Sequence, residues 1–121
     1  MIGAASYLAA LALTMIVETP IYYLMLSRLA HVRSQQAIIA GIVVNLISHP
    51  LFTAVLVPAA EQVMSPIASV LVGEAVVCAL EAGLLYAWLR RDAAIVIAAS
   101  LMANGCSFAV GLVLMTLIFR S

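Results

Sequence analysis

Charge is what this sequence has least of. Only 8% of its 121 residues are charged, against roughly 25% in soluble domains, which leaves too little polar surface to cover a water-soluble globule. It has no lysine at all. Five arginines (Arg28, Arg33, Arg90, Arg91, Arg120) balance five acids (Glu18, Glu61, Glu74, Glu81, Asp92), so the formal net charge is +0. Nucleic-acid binding needs basic side chains clustered on a soluble face, and none are. A soluble enzyme and a disordered tail are excluded by the same shortage of polar residues. Cysteine is scarce too. Cys78 and Cys106 lie inside apolar runs, with neither a CxxC nor a metal-ligand spacing, and read as small apolar filler. The first apolar stretch lacks a basic leader and carries Glu18, so it reads as a first span and not as a cleaved signal peptide.

What the sequence does have is hydrophobic residues, 67% of the chain. They fall into four continuous runs, over about 4–26, 37–57, 67–89 and 93–118, each long enough to cross a bilayer as a helix. The runs are separated by polar breaks at Ser27–Gln36, at Pro58–Pro66 and at the tight Arg90-Arg91-Asp92 turn. Strands are excluded because the runs do not alternate and four strands do not close a barrel. The expectation is an all-α integral membrane four-helix bundle forming a single transmembrane domain.

Positive charge sets its orientation. Arg28 and Arg33 fall in the first connection and Arg90 and Arg91 in the third, while the second holds only Glu61. The positive-inside rule predicts cytoplasmic connections at 27–36 and 90–92 and both termini outside, in a bacterial-type plasma (inner) membrane. Arg120 alone dissents. Tyr22, Tyr23, Tyr86 and Trp88 gather near the same face, where amphipathic rings favour the interface.

The two halves of the chain, about 1–57 and 67–121, match each other. Glu18, Tyr23, Leu26 and Arg28 have the same spacing as Glu81, Tyr86, Leu89 and Arg91. Further on, Asn45 with Ser48 is matched by Asn104 with Ser107, across a connection four residues shorter. Two hairpins entering from one side make a parallel repeat, related by an axis along the membrane normal. Glu18 and Glu81 each lie about 21 Å from the outer end of their helix at helical rise.

Ionisable groups at such depth cost roughly 3 kcal/mol each on insertion scales, so they face a bundle interior, a partner or water. Glu18 stands two residues before Pro20, and Asn45 and His49 sit one turn apart before Pro50. Glu74, Cys78 and Glu81 share a face of the third run, and Ser100, Asn104, Ser107 and Gly111 make a small polar stripe on the fourth. The four faces predict a polar seam. Glu18, Glu81, His49 and Glu74 are its candidate ion- or proton-binding groups, and Asn45, Asn104, Ser48 and Ser107 its supporting polar groups. His49 with Glu74 is expected to pair, as a proton relay or a cation site. The alternative role for each Glu–Asn pair is a clamp between helices. Glu61, Asp92 and His31 read as solvated loop groups.

Three functions follow from such a seam. The first is a proton- or cation-coupled transporter or ion-conducting protein. In length, span count and a first-span glutamate, Glu18, the chain resembles the small multidrug resistance transporters. No glycine-rich or aromatic motif accompanies Glu18, and no site residue is transferred from that family. The second is a non-catalytic stabilising or anchoring subunit of a larger membrane complex, which the minimal loops favour. The third is an intramembrane metal site or enzyme using His49, Glu74, Glu81 and Glu18, although no HExxH, paired-His or nucleophile motif is present. The expected partners are membrane lipid and a second copy or a larger membrane protein. The sequence specifies no cofactor and no metal.

Overall fold

Apolar runs in lipid must satisfy every backbone polar group internally, and a helix does so within one segment. The computed structural model describes residues 4–120, with side chains for residues 6–118. The remaining residues of the two matched halves lie outside the described residues, as does the side chain of Arg120. Helix α1 covers Ala4–Arg28 and α2 covers Ser34–Leu51; a π-helical turn at Phe52–Leu56 then leads into α3, Val57–Glu61. Helix α4 covers Pro66–Leu89 and α5 covers Ala93–Arg120. No strand occurs among the described residues. The result is four helical spans, each long and apolar enough to cross a membrane, the second running unbroken over Ser34–Glu61.

The connections are shorter than the polar breaks suggest. The expected break at Pro58–Pro66 is corrected to residues 62–65, because the helix continues through Pro58. Pro58 is tolerated there because it stands in the first turn of α3, just after the π turn has already interrupted the regular bonding. Glu61 consequently ends a helix instead of sitting in a loop. The first connection contracts from Ser27–Gln36 to residues 29–33 and turns on His31, a left-handed residue at φ 58°. Arg90 makes the corresponding stop after α4 at φ 53°, its N–H bonded to the Tyr86 carbonyl at 2.9 Å. Asp92 then caps α5 by accepting from the Ala94 N–H at 2.9 Å. At the other end of the molecule Ser65 caps α4, accepting from the Ala68 N–H at 3.2 Å.

The spans pack as a ring. Helix α1 lies against α2 and α5, and α4 lies against α5, α2 and α3. Lipid gives helices no hydrophobic reason to associate, so close backbone approach through small side chains has to hold them. Ala37, Ala40, Ala99 and Ala103 are fully buried for that purpose. Gly41 serves the same end, since a Cβ there would meet the Cβ of Tyr22 at 3.2 Å.

These small residues fill one half of the bundle only, the half ending at Arg28, Arg33, Arg90 and Arg91. There, Tyr22, Leu26, Leu85, Val96 and the alanines form a continuous buried core. The half holding the two termini and the 62–65 connection is packed differently, and it contains the polar groups.

Candidate functional site

Glu81 is the point where all four spans meet. It projects from α4 and is 1% exposed. The Tyr22 hydroxyl on α1 donates to its Oε1, the Ser48 hydroxyl on α2 to its Oε2, and the Asn104 amide on α5 to its Oε1 at 3.1 Å. A carboxylate has about four lone-pair positions on two oxygens, and three are occupied here by three different helices. Asn104 is itself held in place by donating to the Ser100 carbonyl at 2.9 Å. Ser100 donates in turn to the Cys78 carbonyl at 2.8 Å, tying α5 to α4 a second time.

Glu18 is equally buried, at 2% exposure, yet its surroundings differ. It lies beside Ser107 and Asn45, and its Oε1 has no hydrogen-bond partner within the protein. Asn45, at 1% exposure, donates one amide N–H to the Gly41 carbonyl at 3.0 Å, and its own Oδ1 has no partner within the protein. The Glu18–Asn45 pair thus leaves one oxygen of each side chain open, where Glu81 is bonded at both of its oxygens.

Both acids form the floor of a cavity of about 530 Å³. That volume lies within the roughly 300–1,000 Å³ typical of small-molecule pockets. Asn45, Ser48, His49, Glu74, Asn104 and Ser107 line it together with Glu18 and Glu81, so all eight polar groups expected in the seam reach one space. Above this floor the walls turn apolar, with Leu13, Val70 and Phe108, and the rim carries the exposed Ile67, Leu71, Leu112 and Met115 of α4 and α5. Toward the arginine end the cavity stops at the packed core.

The structure corrects four expectations in detail. His49 does not pair with Glu74: its ring packs edge-on against Tyr7, with centroids 5.1 Å apart, and its Nδ1 is buried without a partner. The two residues share the cavity and nothing more. Among the described residues no group of three or more His, Cys, Asp or Glu side chains is placed to hold a metal ion. Cys78 leaves the acid face and lines a separate groove between α4 and α5. Tyr22 is not an interfacial ring, since it is fully buried and bonded to Glu81.

Tyr22 is the residue that sequence reasoning missed, and a signal for it existed. It stands one turn after Glu18 on the same helix face, at the i+4 position, while its neighbour Tyr23 is only half-buried. Comparison with protein-family models, curated proteins and solved structures gives no significant match, so the site stands on its geometry alone.

Proposed function

We propose that the chain is a proton- or cation-coupled membrane transporter or ion-conducting protein, with Glu18 as the carboxyl group that binds and releases the ion. The observation that carries this reading is the buried, partnerless Oε1 of Glu18 on the floor of a cavity. A buried polar atom left without a partner costs free energy that a purely structural acid would not incur. Intramembrane acids are functional more often than not. Glu74, on the cavity wall between floor and rim, gives the ion an intermediate stop. Glu81, already accepting from three helices, holds the floor in shape. With the arginine end cytoplasmic, the cavity faces the outside and the packed core is the closed gate.

Reconstitution in liposomes with an internal pH dye tests this reading. An imposed cation or proton gradient is expected to drive flux, and Glu18→Gln to abolish it. Flux that survives Glu18→Gln would overturn it.

A second reading, a subunit of a larger membrane assembly, is favoured by the outer surface of α4. Ala75, Ala79 and Gly83 line an external groove of about 500 Å³ at four-residue spacing, and a Cβ at Gly83 meets nothing within 4 Å. Small residues so spaced admit another helix closely. A stoichiometric second protein retained in mild detergent would favour this reading over the first.

A further inference from the structure

The orphaned atoms of the cavity have one chemical property in common. Glu18 Oε1 and Asn45 Oδ1 are acceptors only, and His49 Nδ1 is an acceptor when the ring carries its proton on Nε2. All three residues line the same cavity, from two adjacent helices. A proton taken up by Glu18 satisfies that oxygen and, by donation, at most one of the other two acceptors. A metal ion asks for several oxygen, nitrogen or sulfur ligands together, and no such group of acidic, His or Cys side chains occurs among the described residues. A primary ammonium group carries one positive charge and three N–H donors, a count that matches the three acceptors. Its bond to Glu18 is charge-assisted, and such bonds are about twice as strong as neutral ones.

The rest of the cavity says what the ammonium is attached to. Beyond the polar floor the wall is Leu13, Val70 and Phe108, and the rim is exposed aliphatic surface on α4 and α5. Apart from Glu74 and Thr14, such a wall is apolar and takes a hydrocarbon chain out of water.

The geometry points to a binding site for a primary ammonium group carried on an apolar chain, with Glu18, Asn45 and His49 receiving its three N–H donors. This inference rests on the reading of Glu18 as the ion-binding carboxyl and names the chemical class of its ligand. The same chemistry has two sources: a free alkylamine, or the ethanolamine head of a membrane lipid entering past the rim of α4 and α5.

Equilibrium binding of n-octylammonium to the full chain in phosphatidylcholine nanodiscs, corrected with empty nanodiscs, tests it. Saturable binding is expected, at least tenfold weaker for octyltrimethylammonium, which keeps the charge and loses the N–H donors. Glu18→Gln is expected to weaken octylammonium at least tenfold, and His49→Ala severalfold. Absence of saturable binding, equal affinity for the two cations, or an affinity indifferent to Glu18→Gln overturns the proposal. The comparison of the two cations needs no variant, so it decides the matter even if Glu18→Gln does not fold. Phosphatidylethanolamine nanodiscs separate the sources: competition with octylammonium assigns the lipid head, and unchanged affinity assigns a free amine. Glu18-dependent binding without flux leaves this site standing and removes the transport reading. Glu18-dependent flux without octylammonium binding does the reverse.

Discussion

Glu18 on α1 and Glu81 on α4 are the same residue type and almost equally hidden from solvent, yet one is saturated and the other is not. Glu81 accepts from Tyr22, Ser48 and Asn104. On the duplication we propose, the counterparts of those donors around Glu18 are Leu85, Ser107 and Asn45. Ser107 and Asn45 do lie beside Glu18. The third counterpart, Leu85, is as fully buried as Tyr22 but has no hydroxyl to donate. A single exchange of a phenol for an isobutyl group thus separates an acid that binds its own helices from one that keeps an oxygen for something else. Burial alone does not distinguish the two roles in a membrane; the balance of donors does.

The largest effect that breaks this contrast is Glu81→Leu. The substitution keeps an apolar body of similar size and strands a phenol, a hydroxyl and an amide in the floor. Interhelical bonds in membrane proteins average about 0.6 kcal/mol, so losing three costs roughly 2 kcal/mol, and an unpaired buried tyrosine adds to that. Thermal unfolding in mild detergent is expected to show the variant as the least stable of the acid substitutions. Stability equal to the parent protein would mean that the three bonds do not hold the spans together.

Tyr22→Phe has a smaller effect and sharpens the comparison, because it gives Glu81 the same missing donor that Glu18 has. One bond is removed with the ring left in place against Gly41, so a loss of about 0.6 kcal/mol is expected in the same unfolding assay. The cavity and its Glu18 floor remain. A loss several times larger would show that the phenol organises the floor as a whole rather than supplying one bond.

The contrast also shows what a single sequence can and cannot display. The four spans were legible because lipid demands continuous apolar runs, and the eight seam residues because polar groups in such runs are rare. Helix ends were less so: Pro58 looks like a breaker until the π turn ahead of it is known. Tyr22 was misplaced since an aromatic near a run of arginines suits an interface and a core equally, and only the i+4 step from Glu18 separates them. His49 and Glu74 share a cavity without touching, and their separation depends on how α2 and α4 diverge around that cavity. Helical spacing describes one helix at a time, so it carries no information about such distances. Nor does it reveal that no neighbouring helix brings a donor to the Asn45 oxygen.

The smallest effect belongs to Glu18→Gln, and its smallness is the test. Glutamine matches glutamate in shape, so Leu13 and the other cavity walls stay packed. The atom replaced or kept at the Oε1 position had no partner within the protein to lose. An amide at that position can donate to the open Asn45 oxygen, which offsets part of any bond weakened at Ser107. The unfolding free energy is therefore expected to change by less than about 0.5 kcal/mol, the scatter of substitutions away from structural features. An acid that clamps helices would behave like Glu81 and lose several times more. If Glu18→Gln destabilised the fold as much as Glu81→Leu does, the two acids would be equivalent clamps. The open oxygen of Glu18 would then be a packing defect and not a place for a ligand.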